Sequence, residues 1–186
     1  MHSTTARSRS VRFGVAMSLD GYIAGPNGEA DWIVMDPEID FAEIFARFDT
    51  LVMGRGTFEA MQAMGGGGGE MPGVEVIVIS RSLSPDDHPK LTVATDVKQV
   101  ITELKRRPGK DIWLFGGGRL FRSCLELGLV DAVDVAVMPV LLGGGVPLLP
   151  APAPRASLTL VNRRIFEKSG IVSLEYDVVR PPPAGP

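Results

Sequence analysis

Three short stretches carry residue types suited to holding an anion. In MGRGTFE, residues 53–59, Gly54 is followed by Arg55, Gly56 and Thr57 where an apolar run gives way to a helix-like segment. Arg55 offers a permanently charged planar fork, Thr57 a hydroxyl, and the first amides of the helix further donors. In SRS, Ser80, Arg81 and Ser82 set a guanidinium between two hydroxyls after the run VEVIVI, an arrangement suited to a phosphate monoester. In FGGGRLF, residues 115–121, Gly116, Gly117 and Gly118 allow close backbone approach, with Arg119 and Leu120 opening the next helix. Each signal is weak alone, because glycine-rich turns also serve packing and an arginine after a strand is commonly solvated. Their shared position matters: open α/β sheets bind ligands at the carboxyl ends of their strands.

The elements that must position these residues follow from periodicity. VRFGVAM (11–17) reads as a first, central strand, and 24–32 as a loop dense in turn formers. Asp36-Pro37 opens a helix whose Ile39, Phe41, Ile44, Phe45 and Phe48 approximate helical spacing. TLVMG is a strand and RGTFEAMQAM a helix, followed by a glycine run over 65–69 that predicts a mobile loop. VEVIVIS and LTVAT are strands, DVKQVITELKRR an amphipathic helix, DIWLFG a strand and GRLFRSCLELGL a helix. The last third turns strand-rich, with DAVDVAVMPVLLG, ASLTLVNRRIFEKSG and IVSLEYDVVR, and Lys168-Ser169-Gly170 forms a hairpin turn. Asp96 marks another local turn. This order predicts an α/β fold, with a mainly parallel central sheet, helices on both faces and antiparallel strands at the carboxyl-terminal edge.

With AMSLDGYIAG ahead of them, the motifs MGRGTFE, SRS and FGGGRLF, in that order, resemble the dihydrofolate reductase superfamily. The likeness is strongest to single-domain proteins similar to the reductase half of the riboflavin-pathway deaminase-reductase, the RibD C-terminal domain. It runs from about Val11 to Val179 and includes MPVLLGGGVPLLP after the last helix. The resemblance implies a dihydrofolate-reductase-like fold that binds NADPH and delivers hydride to a small heterocycle, pterin-like or pyrimidine-like. It implies that Gly54, Arg55 and Thr57 meet the cofactor phosphates. Ser80, Arg81 and Ser82 would flank the adenine ribose, Gly116 to Leu120 would wrap the pyrophosphate, and Ala16 and Ile23 would touch the nicotinamide.

Reducing a ring C=N bond needs a proton as well as a hydride, from a buried carboxyl or an ordered water. Asp20 and Asp40 are the leading candidates, with Asp36 and Glu38 near the latter; Asp40 is equally suited to serve the helix dipole. Trp32, in the loop beside the nicotinamide end, is a candidate substrate contact, whereas Trp113 lies in a strand and reads as core. Compared with the riboflavin-pathway reductases, this chain has Phe115 in place of an acid and Gly14 in place of a lysine. The ribosylaminouracil intermediate of that pathway is therefore not the expected substrate. The rival expectation is a nucleotide-binding protein of the same fold without turnover.

Composition narrows the field further. The 186 residues suit one domain, expected over 11–180, with a disordered leader at 1–10 and a disordered tail at 181–186. A net charge of −3 lacks the basic excess that nucleic acid binding requires. Cys124 is the single cysteine, and His2 and His88 are far apart, so no metal site is expected. No apolar run reaches the roughly 18 residues of a membrane span, and a cytoplasmic protein is expected. The strand-rich edge, read with the family resemblance, implies a homodimer.

Overall fold

A computed structural model describes residues 8–65 and 72–180. The chain runs β1 (Val11–Ser18), β2 (Tyr22–Ala24), α1 (Phe41–Ala46), β3 (Phe48–Gly54), α2 (Arg55–Ala63), β4 (Glu75–Ile79) and β5 (Thr92–Ala94). It continues through α3 (Val97–Arg106), β6 (Asp111–Gly116), α4 (Gly118–Glu126), β7 (Ala132–Met138), β8 (Val146–Pro147), β9 (Leu158–Phe166) and β10 (Ile171–Val178). Eight strands form one sheet in the order β5-β4-β3-β6-β1-β7-β10-β9, and β2 pairs with β8 in a separate ribbon. From β5 to β7 all pairings are parallel, so these strands end at one rim. β10 is antiparallel to β7, and β9 antiparallel to β10. The sheet is thus mainly parallel with an antiparallel carboxyl-terminal edge, as the order of elements predicts.

Successive side chains of a strand point to opposite faces, and the two faces are covered differently. On one, α3 and α4 bury Ile101, Leu104, Phe121 and Cys124 against Val11, Phe13, Ile112 and Leu114. Phe121 stacks on Phe13 with ring centroids 3.9 Å apart and planes 5° from parallel. On the other, α2 sends Phe58 among Leu51, Met53, Val76 and Val78. There too Phe45 of α1 meets Trp113 at 5.4 Å, and the Trp113 indole donates to Gly14 O at 2.9 Å.

Three expectations change. The first helix does not begin at Asp36: α1 covers only Phe41–Ala46, with Asp40 as its cap, and Phe48 is already part of β3. Asp96 is no free turn residue, since its carboxylate accepts from the amides of Lys98 and Gln99 to cap α3. The disordered leader does not extend to residue 10, because Arg9 is buried and each of its three guanidinium nitrogens is hydrogen-bonded. It donates to Lys110 O at 2.6 Å, Leu104 O at 3.5 Å and Thr50 Oγ1 at 2.7 Å, and pairs with Asp49. The rest of that leader, the glycine loop beyond Gly65 and the tail at 181–186 lie outside the described residues.

The Arg9 cluster ties the start of the domain to the turn before β6. Arg9→Ala leaves Asp49 and two backbone carbonyls without their partner, and should lower unfolding stability by about 3 kcal/mol. Urea denaturation measures this; a change near zero would match a dispensable leader instead.

Candidate functional site

The parallel pairing of β4, β3 and β6 puts the three anion-suited stretches side by side at one rim, since each follows the carboxyl end of its strand. A Cβ added to Gly54 would lie 3.8 Å from Gly116 O and 3.9 Å from the Leu120 Cβ, so the first turns of α2 and α4 adjoin. Thr57 Oγ1 lies over the glycines, 3.3 Å from a Cβ built on Gly117. The Gly116–Gly117 peptide is cis, and Gly116 has φ +131°, a conformation that favours glycine. A Cβ on Gly118 would meet Pro147 O at 2.5 Å, because the segment carrying β8 packs directly on the start of α4.

The helix ends differ in a way that sequence motifs did not disclose. α1 and α3 are capped by the carboxylates of Asp40 and Asp96. α2 and α4 have glycines at the capping position, Gly54 and Gly117, with no side-chain cap. Their first-turn amides therefore keep free donors at the positive end of the helix dipole, the arrangement that receives an anion. Beyond β4, Ser80 Oγ accepts from the amides of Ser82 and Leu83, at 3.2 and 3.0 Å, and shapes the bend that displays Arg81. Arg81 and Arg119 are exposed and have no partner among the described residues, and Arg55 is engaged only by Glu59 at 3.7 Å. At the opposite rim Arg9, Arg12 and Arg47 are all paired with carboxylates. Leu120 contributes its backbone alone, its side chain being buried in the core.

The carboxylates read as proton donors have structural duties. Asp20 accepts from Ser18 Oγ at 2.6 Å and from the amides of Leu142 and Gly143 at 3.1 and 2.7 Å, joining the end of β1 to the loop after β7. The Ser18 hydroxyl and then the Leu142 amide hold its carboxyl below the ordinary range, so it is ionised at neutral pH and has no proton to give. Asp40 is an exposed helix cap that accepts from the Glu43 amide at 2.9 Å. Asp36 is buried beside the β9–β10 turn, its Oδ1 accepting from the Glu38 amide at 2.8 Å, and Glu38 pairs with Lys168 at 2.9 Å. Cys124 is buried in the core, where desolvation pushes its thiol up to about 12 and leaves it inert.

Trp32, Ile33 and Ile39 pack, as Ala16 and Ala136 do, against the cluster of Met138, Phe166 and Ile171, which places Trp32 in the same cluster as Ala16 of β1. Ile23 sits apart, in the small β2–β8 ribbon. The sequence reading missed Asp134 and Glu175, which share a partly buried ionic network with Arg12 and Arg47 on this face. Arg12 grips both oxygens of Asp134 at 2.8 Å, and Arg12 and Arg47 each reach Glu175 Oε2 at 3.1 Å. Only cross-strand register, Gly14 opposite Asp134 and Asp134 opposite Glu175, unites residues so far apart in the chain. Among the described residues there is no cluster of histidine, cysteine and carboxylate suited to a metal ion, and no helix long and apolar enough to cross a membrane.

Comparison with known proteins agrees with this geometry. The model of the family described as the RibD C-terminal domain matches residues 9–170. The uncharacterized protein YyaP of Bacillus subtilis (strain 168) is 34% identical over 181 residues, covering 91% of this chain and 95% of its own. A crystal structure from Shewanella sp. PV-4, described as that of a candidate riboflavin biosynthesis protein, superposes with TM-score 0.76 at 26% identity, covering 94% of this chain and all of that one. Dihydrofolate reductase from Enterococcus faecalis, complexed with NADP(H), superposes with TM-score 0.64 at 16% identity over 91% of this chain and 94% of its own, a likeness of fold.

The Asp20 tie gives a pH signature. A carboxylate held below its ordinary value of 3.8 contributes stability that is present above that value and is lost as pH falls through the lower folded value. Melting temperature should therefore fall less for Asp20→Asn than for the natural chain between about pH 5 and about pH 3. Parallel curves would show that the tie carries no linkage.

Proposed function

We propose, for a chain that belongs to the RibD C-terminal domain family, that it is an NADPH-dependent reductase of a small heterocycle. The observation that carries this reading is the pair of adjoining uncapped helix starts at Gly54 and Gly117, flanked by Arg81 and Arg119, whose side chains have no partner among the described residues. The glycines leave room for a pyrophosphate to approach the backbone, and their neighbours Arg55 and Thr57 supply a charge and a hydroxyl. The fit is chemical as well as spatial, since the rim offers helix-start amides, hydroxyls and the guanidiniums of Arg55, Arg81 and Arg119.

In this reading the Ser80–Ser82 bend takes the adenosine end, and Arg81 reads the ribose phosphate that distinguishes NADPH from NADH. The amides of α2 and α4 hold the pyrophosphate, and the nicotinamide extends to Ala16 on the neighbouring strand β1. NADPH supplies the hydride; the chain binds, orients and screens. With Asp20 ionised and Asp40 spent on a helix cap, the proton comes from water. Membership of the RibD C-terminal domain family, the fold shared with a deaminase/5-amino-6-(5-phosphoribosylamino)uracil reductase from Thermotoga maritima, and the NADP(H) complex of the Enterococcus faecalis enzyme support the reading.

Titration with NADPH and NADH tests it. Arg81→Ala should weaken NADPH by about 1.5 to 3 kcal/mol, the worth of a charge-assisted contact, and leave NADH nearly unchanged. Equal losses for both would remove Arg81 from the phosphate, and no binding of either would remove the reading.

We also propose that β9 is the contact of a homodimer. It is the edge strand of the sheet and exposes Leu158, Leu160, Val161 and Ile165, a run that a second β9 would cover in antiparallel pairing. Light scattering should give a dimer for the natural chain and a monomer for Ile165→Asp.

A further inference from the structure

β9 has two working faces. It is the outer strand of the sheet, paired with β10 alone, and alternation sends its side chains to opposite sides. Cross-strand register sorts them. Leu158, Leu160, Arg163 and Ile165 lie across from Val178, Tyr176, Leu174 and Val172, on the side of the sheet that Val133, Val135 and Val137 share. Leu158, Leu160 and Ile165 are 43%, 47% and 63% exposed. Arg164 and Phe166 lie across from Ser173 and Ile171, on the other side, the side of Ala136.

That second side meets the segment between Trp32 and α1. Residues 25–40 form no helix or strand, so their place is set by contacts with other parts of the fold. Phe166, 5% exposed, joins Met138 and Ile171 in the cluster against which Trp32, Ile33 and Ile39 pack. Arg164 Nη2 donates to Glu38 O at 3.2 Å, and its guanidinium stands 4.5 Å from the centre of the Phe166 ring. Just past the strand, Lys168 Nζ meets Glu38 Oε1 at 2.9 Å. Asp36, buried, stiffens the segment from within: its Oδ1 accepts from the Glu38 amide at 2.8 Å and its carbonyl from the Ile39 amide at 3.1 Å. Glu38 is thus held twice, by its backbone and by its side chain, and both holds come from the β9–β10 hairpin.

Exposed contacts of this kind are individually weak, and an outer strand supported from one side opens at lower free energy than the strands inside the sheet. The clasp on Glu38 is therefore no firmer than β9 itself. Arg164 and Ile165 are consecutive residues, so whatever fixes the backbone of one fixes the other. We infer that β9 carries dimer formation through to this loop: pairing with a second β9 covers Leu158, Leu160 and Ile165, steadies the hairpin, and so holds residues 33–40, and Trp32 with them, on Phe166. The inference rests on the β9 contact proposed above and on no particular acceptor. Arg164 and Lys168 are positioning residues that act through Glu38. The dimer has a fixed loop in the cluster that also takes in Ala16, and the monomer a loose one.

Hydrogen–deuterium exchange of the full chain, followed by mass spectrometry at concentrations above and below the dissociation seen by light scattering, tests the coupling. Peptides over 33–40 should exchange at least about fivefold faster in the monomer, while peptides over β3 and β6 stay within about twofold of the dimer. Ile165→Asp should show the monomer's rate at every concentration; its β3 and β6 peptides report whether it has folded, and dilution of the natural chain needs no variant. Arg164→Ala/Lys168→Ala, which leaves the apolar strip intact, should stay dimeric yet exchange 33–40 at the fast rate, and Arg164→Lys/Lys168→Arg should restore the protection. A dimer whose 33–40 segment exchanges as it does in the monomer, or one still protected in the double alanine variant, would overturn the coupling and leave the homodimer standing. A chain that is monomeric at every concentration would overturn the homodimer, and the coupling with it.

Discussion

The site depends on one constraint, the parallel pairing of β3 with β6. The pairing of Val52 with Leu114 and Met53 with Gly116 makes the two strands end together, which sets the helix starts of α2 and α4 against each other. A shift of register would separate Thr57 from Gly117 and leave two isolated helix ends, each a weak anion site alone. Gly54 and Gly116 permit this proximity, and Gly118 permits the segment around Pro147 to close over it. The core on the α3 and α4 side, with Phe13 stacked on Phe121, makes the register costly to change, because a one-residue slip would carry the side chains of β1, β3 and β6 to the opposite face and break the packing on both.

A second constraint is the allocation of carboxylates. Asp40 and Asp96 cap helices, Asp20 holds the loop after β7, Asp49 neutralises Arg9, and Asp134 with Glu175 neutralises Arg12 and Arg47. Among the described residues, the cations at the carboxyl rim have no such neutralisation beyond the loose Arg55–Glu59 pair. Sequence counting gives a net charge of −3, yet the carboxyl rim sets Arg55, Arg81 and Arg119 beside two uncapped helix starts. For a ligand, local pairing decides more than the total, since exposed charges beyond a Debye length of about 8 Å are screened.

What could be read in the sequence was what is local. The strand-to-helix junctions at Gly54 and Gly117 are encoded by contiguous residues, and so is the β9–β10 turn; strand order and helix faces followed from them. The start of the domain was misread because Arg9 sits in a stretch rich in serine and arginine, and only the distant Asp49 and the turn at Lys110 give it a buried role. The first helix was read too long because Ile39 and Phe48 keep helical spacing while packing elsewhere, Ile39 with Met138 and Phe48 within β3. Asp134 and Glu175 had no local mark at all. Alternation along β7 and β10 identifies a polar position, but the partner strands decide whether that position faces solvent or lies beside Gly14.

The two halves of the proposed site are built from different materials, and this bears on how such a fold changes its chemistry. The cofactor end relies on backbone amides and glycines, whose geometry follows from strand register and tolerates little substitution without a backbone shift. The partly open face of β1, β7 and β10 next to it presents side chains standing on strands whose backbone hydrogen bonding does not involve those side chains. Exchanging Ala136 or Ser173 alters the shape and polarity of that face while the ladders of β1, β7 and β10 stay paired. Proteins on this scaffold can therefore keep the glycine-built rim and vary the neighbouring face, because the two draw on independent parts of the same sheet.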